Sequence, residues 1–205
     1  MLREHTLKPD ARVNISDMAT ELDVSIIPMR EALARLAAEG LLERSDVGGF
    51  KVPGLSVANV TGDFTVIFLL FRHVTDLAFE CDRIGTDVLA YVTEQNEKLA
   101  LLRGDENAIT LEAENYVLGL LPMSRSLKLR RCVEAALDSS TIYRRVYYRH
   151  MLQFDLYLGA RRAYEGALRA SDGATARKMV RISQREWETK SRELCRFAWT
   201  ELFEA

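Results

Sequence analysis

The chain has 205 residues, of which 48% are hydrophobic and 28% charged, with a formal net charge of −2. Such a length holds one large or two small domains with a real core. Only four prolines and eleven glycines are present, which excludes long low-complexity tracts. The longest apolar run, 64–71, contains Thr65 and ends at Arg72 and His73, too short to span a bilayer, so no membrane partner is expected. The segment MLREHTLKPD has no apolar stretch of signal-peptide type. Cys81, Cys132 and Cys195 are odd in number and widely spaced, which fits a reduced, cytoplasmic protein and gives no metal-binding spacing.

In chain order, Leu2 to Thr6 reads as a short helical piece and Pro9-Asp10 as a turn. Asn14, Ser16 or Asp17 caps a helix that runs through Leu22. Asp23-Val24 is a tight turn, and Ser25 starts a second helix with Pro28 in its first turn. Leu33, Leu36 and Ala37 fall at helical spacing, with Arg30, Glu31 and Arg35 off that stripe. Gly40 is the expected stop. LLERSDVGGFKV then reads as two short strands joined by a loop holding Gly48 and Gly49. Helix, turn, helix and hairpin make a winged helix-turn-helix, the scaffold that places one helix in a DNA major groove. Residues 1–55 carry seven basic and nine acidic side chains, so a DNA-binding domain here must sort its cations onto one face.

Residues 53–60 read as a linker, and helices are predicted over 61–82, 84–103, 106–121, 124–137, 140–150, 152–171 and 174–203. The fold class is therefore mainly α: a winged helix-turn-helix at 1–55 followed at 56–205 by an all-α bundle of six or seven helices. Met179, Trp187, Leu194, Phe197 and Trp199 on the last helix read as core or interface. The stretch RRVYYRH reads as a solvated basic face with buried tyrosine rings, and His150 within it as a surface or packing residue. No nucleophile–base pair or phosphate-binding glycine loop is present, so an enzyme is not expected.

The first segment resembles the GntR family of bacterial winged-helix transcription regulators. The resemblance rests on Pro9, Met18-Ala19, Val24-Ser25, Pro28-Met29-Arg30-Glu31-Ala32-Leu33, Leu36, Glu39-Gly40-Leu41 and Gly49-Phe50-Lys51-Val52. It implies a DNA-binding regulator, more often a repressor, that acts as a homodimer on a double-stranded operator. By resemblance Ser25, Arg30 and Arg35 contact the operator, and Arg44 and Lys51 add phosphate contacts from the wing. For the two arginines, pairing with nearby acids is the alternative. Where the family usually has an arginine after Val-Ser, this chain has Ile26 and then Ile27. These side chains either touch thymine methyl groups or pack on something else. A second reading follows: a winged-helix protein with weakened DNA binding that acts through protein–protein contacts.

The helical remainder looks like the ligand-sensing FCD domain of the FadR-type subgroup. Many such domains hold a metal on a carboxylate and three histidines. Here the corresponding positions are Glu112, Tyr116, Arg161 and Ser183, a set without histidine, so the metal site is expected to be lost and no cofactor is expected. Two readings stay open. Arg161 binds a small anionic effector, an organic acid, with Tyr116 and Ser183 offering hydroxyls and Arg72 or Tyr164 lining the same cavity. Alternatively, the four positions form a satisfied polar network closed by an Arg161–Glu112 pair.

Overall fold

A computed structural model describes residues 8–203, so the predicted piece at Leu2 to Thr6 lies outside the described residues. The N-terminal unit contains β1 (Arg12–Val13), α1 (Ile15–Glu21), α2 (Ile26–Ala38), β2 (Glu43–Arg44) and β3 (Phe50–Lys51). Asn14 caps α1, its side chain accepting from the Ser16 and Asp17 amides. Both helices end in the same motif. Asp23 (φ 51°) and Gly40 (φ 80°) occupy the left-handed position after the helix. The Val24 amide then donates to the Ala19 carbonyl at 3.0 Å, and the Leu41 amide to Leu36 at 2.9 Å. The aspartate after α1 pivots the chain into α2, and the glycine after α2 turns it into the wing.

Ser25 stands at the N-cap of α2 with extended backbone, but its hydroxyl makes no capping hydrogen bond. This corrects the predicted cap: the position is right and the interaction is absent. The predicted hairpin forms with β2 antiparallel to β3, and a strand not read from the sequence, β1, pairs with the other edge of β3. Two residues of strand carry no alternation to detect. Val13, Ala19, Met29, Leu33, Leu42 and Phe50 fill the core of this unit. Met29 and Leu33 come from one face of α2, so Arg30, Glu31 and Arg35 are left exposed.

The linker is shorter than predicted. The Ser56 side chain accepts from the Asn59 amide and starts α3 (Val57–Glu80), so the connection is 53–56. The helical unit continues with α4 (Asp82–Leu101), α5 (Glu106–Leu120), α6 (Leu127–Ser139), α7 (Thr141–Val146), α8 (Phe154–Arg169) and α9 (Gly173–Phe203). Among the described residues these are seven α-helices, broken near the predicted places. The Pro122 break is a 3-10 turn (Leu121–Ser124), and the predicted helix 140–150 splits into α7 and a π-helical turn (Tyr147–Met151). At the α3–α4 corner a Cβ on residue 85 would lie 2.5 Å from the Ala78 carbonyl oxygen, so only glycine admits this close turn.

α3 is the central helix and packs against α9, α6 and α4. It is long and apolar enough to cross a membrane by length and composition. Its apolar side chains Val60, Phe64, Ile67, Leu70 and Val74 are instead buried in the bundle core. On α9, Trp187 and Leu194 enter the core as predicted, while Trp199 stays half exposed and stacks on Phe203.

Candidate DNA interface and effector cavity

Along α2 the exposed face carries Ile26 (49% exposed), Ile27 (73%), Arg30 and Arg35. Among the described residues neither arginine makes an ion pair, which leaves both guanidiniums available to phosphates or base edges. Arg44 is exposed on the edge strand β2. Lys51 is less free: its ammonium lies 2.8 Å from Glu43 and 3.7 Å from Asp10. Glu43 strengthens its positive charge and also neutralises part of its field. Leu22 and Val24 extend the apolar tip beside Ile26 and Ile27.

Inside the helical bundle a cavity of about 100 Å³ is bounded by α3, α5, α8 and α9 and by the turn around α7. Its wall mixes aromatic and aliphatic side chains. Trp187 stacks on Phe64 with centroids 3.9 Å apart and meets Tyr147 at 4.1 Å. Tyr116, Arg161, Ser183 and Tyr164 all line this space. The Tyr164 hydroxyl is held against Thr75 at 2.8 Å. Glu112 is not in the wall but reaches Arg161, whose Nη1 donates to Oε2 at 2.8 Å. Arg72, predicted to line the cavity, does not. It stands one turn beyond Phe68 on the stripe of α3 that lines the cavity, and its Nε is buried without a hydrogen-bond partner among the described residues.

Arg161 is 6% exposed and nearly surrounded. Its Nε donates to Asn96 at 2.9 Å, and its guanidinium carbon sits 3.7 Å from the centre of the Tyr116 ring. Burial works against its charge, but Tyr157, Tyr116 and Glu112 hold it, and the net direction of its pKa is upward. One nitrogen, Nη2, and one carboxylate oxygen, Glu112 Oε1, remain buried without a hydrogen-bond partner among the described residues. Burial keeps the Tyr116 hydroxyl protonated by raising its pKa.

These positions do not fit a transition metal. The carboxylate is already committed to a guanidinium, which would repel a second cation placed beside it. No three of His, Cys, Asp and Glu converge on one point among the described residues.

Sequence reasoning missed Arg144. The basic stretch containing it was read as solvated, yet Arg144 is 4% exposed and lines the cavity. Its Nη2 donates to the Leu137 carbonyl at 2.8 Å and to Glu114 at 3.1 Å, while Nε and Nη1 lack partners. Position in a short helix was the only available signal, and a single turn does not reveal which face is buried. Tyr147 and Tyr148 are buried as expected, and Arg149 and His150 face solvent near Glu201.

The residue before Arg144 touches the linker. The Tyr143 hydroxyl accepts a hydrogen bond from the Ser56 amide at 3.3 Å. Close by, a cleft of about 370 Å³ between the wing and the bundle is lined by Gly40, Glu43, Asn59, Asp63 and Tyr143. Burial raises the Asp63 carboxyl to about 6, partly offset by Ser139 and Arg144. The native state therefore holds this proton more tightly than the unfolded chain. The associated stability is complete below about pH 4 and is lost as pH rises through 6. Asp63→Asn should unfold at higher urea than the parent at pH 8, with the difference closing at pH 4. An equal difference at both pH values would contradict this.

Comparison with known proteins agrees with this architecture. Residues 1–52 match the sequence profile of the bacterial regulatory proteins of the gntR family. The HTH-type transcriptional regulator YdhC of Bacillus subtilis (strain 168) is 29% identical over 141 residues, 67% of this chain and 62% of that protein. The Nta operon transcriptional regulator of Aminobacter aminovorans is 27% identical over 137 residues, 65% of this chain and 64% of that protein. The match thus spans less than two thirds of either relative's length. Among solved structures, McbR/YncC of E. coli superposes with a TM-score of 0.69 at 22% identity, covering 94% of this chain and 92% of that one. The Listeria monocytogenes protein Lar gives 0.64 at 15%, covering 93% and 91%. At these identities the structures speak for the fold alone. The N-terminal segment of this chain thus matches the gntR family of bacterial regulatory proteins and folds as a winged helix-turn-helix, joined to a C-terminal helical domain.

Proposed function

We propose that the chain is a DNA-binding transcription regulator of the gntR type, acting in the cytoplasm as a homodimer, whose helical domain takes a small organic acid as effector. The observation that carries the reading is α2, with Arg30 and Arg35 exposed on the face opposite its buried Met29 and Leu33. In a helix-turn-helix this second helix enters the major groove. The effector part is supported by the buried guanidiniums of Arg144 and Arg161 in one mainly apolar cavity. Buried cations with unused N–H groups favour an anion of complementary shape. Repression is the expected mode, with the acid weakening or strengthening operator binding through α7 and its Tyr143–Ser56 contact to the linker. The helical domain is proposed to be of the FCD type, without its usual metal.

The test is selection of bound fragments from bacterial genomic DNA by the purified protein, followed by binding at several salt concentrations. The reading expects recovery of a palindromic site whose affinity falls steeply with salt and exceeds that of random DNA about a thousandfold or more. Equal affinity for all fragments would contradict it. The second reading, docking of a protein partner, is favoured by Leu22, Val24, Ile26 and Ile27, all at least 44% exposed at one tip. Failure of selection on DNA would turn attention there.

A further inference from the structure

The two buried arginines of the cavity are not equivalent. Arg161 is matched by Glu112, itself 6% exposed, and by Asn96, leaving a single nitrogen open. Arg144 directs all its hydrogen bonds through one nitrogen, Nη2. Its carboxylate partner Glu114 is 23% exposed, so water reaches that charge and weakens its hold on the buried guanidinium. Arg144 thus presents two unpartnered N–H-bearing atoms, Nε and Nη1, at 4% exposure. Asp63 acts on it through space, but in hydrogen bonds Arg144 is the less compensated cation of the cavity.

Resting on the effector reading above, we propose that Arg144 is the residue that anchors the ligand, and that the ligand is a compact monocarboxylate with a short aliphatic body. The remainder of the wall, including Phe64, Phe68, Phe71, Met179 and Trp187, offers apolar contact to that body. A second carboxylate at Arg161 would reach only Nη2 and would crowd against the Glu112 carboxylate already paired there, so a single acidic group fits best. A cavity of about 100 Å³ suits a small acid, since one of roughly 150 Å³ accepts benzene. The carboxylate would complete the buried donors of Arg144 in competition with Glu114.

The probes are acetate, propionate and isobutyrate, with isobutyramide as the neutral analogue, read by thermal shift and calorimetric titration on the full chain. At least one acid is expected to raise the melting temperature of the parent while isobutyramide does not. In Arg144→Gln its affinity should fall about tenfold or more, the effect of losing a charge-assisted hydrogen bond. Because that variant also loses a packing contact, Glu114→Gln is the second arm. Freed from its competitor, Arg144 should bind the acid more tightly. No shift with any of the three acids, unchanged affinity in Arg144→Gln, or weaker binding in Glu114→Gln would overturn the assignment. Operator binding by a protein that fails these arms leaves the regulator reading intact and removes only the Arg144 anchor.

Discussion

Glu112→Ala should lower the thermal midpoint of the helical domain by about 6 to 20 °C. The Glu112–Arg161 pair is buried on both sides, with side chains 6% and 7% exposed and 2.8 Å between the charged atoms. Removing one partner leaves the other as an uncompensated buried charge, which costs about 3–5 kcal/mol. For a chain of this size each kcal/mol corresponds to about 2–4 °C. Arg161 cannot escape to solvent, because Asn96 and the Tyr116 ring hold it in place. Replacing both partners by apolar residues of similar volume, Glu112→Leu with Arg161→Met, should restore most of the loss. Scanning calorimetry on the single and double variants checks this. A single-variant shift below about 2 °C would mean that the pair is not the buried cross-link between α5 and α8 described above.

The second large effect is on DNA. Removing Arg30 and Arg35 together should weaken binding to the selected operator by about 10- to 100-fold while leaving the melting temperature near that of the parent. Both side chains are exposed and contribute no core packing. The form of the loss separates their roles. An arginine paired to guanine costs about 1–3 kcal/mol and relaxes preference at one base pair, whereas one on phosphate weakens all sequences alike and reduces the salt slope by about one. Lys51→Ala should do less, since Glu43 and Asp10 already share its charge. Fluorescence anisotropy at three salt concentrations distinguishes these cases. Unchanged affinity in the double variant would remove α2 as the reading helix.

Much of the fold was legible because it is local. Helix stops at Gly40 and near residues 104, 122 and 172 are written in backbone preferences that need no tertiary information. The α2 stripe separated buried Leu33 from exposed Arg30 and Arg35 by periodicity alone. What stayed hidden depends on partners distant in sequence. β1 exists only because β3 offers an edge far downstream in the sequence, where Arg12 faces Lys51. The Ser25 hydroxyl fits the N-cap by residue type, but its orientation is not a sequence property.

The cavity divides in the same way. Tyr116, Arg161 and Ser183 were placed together by resemblance to a metal-binding register, and the structure gathers them around one space, with Glu112 on Arg161 behind it. Arg144 escaped because it lies in a six-residue helix followed by a π-helical turn, where a period of 3.6 does not hold long enough to mark a buried side. Arg72 was misplaced because periodicity marks the stripe, on which it follows Phe68 by one turn, but not where along α3 the cavity ends.

The most direct test of the central claim, that acid binding in the helical domain controls DNA binding by the winged unit, is an anisotropy titration of the selected operator with and without saturating carboxylate. The acid that stabilises the protein should change operator affinity by about fivefold or more, isobutyramide should not, and Tyr143→Phe should reduce the change by breaking the hydrogen bond to the Ser56 amide. Identical operator affinity with and without an acid that demonstrably occupies the cavity would contradict it.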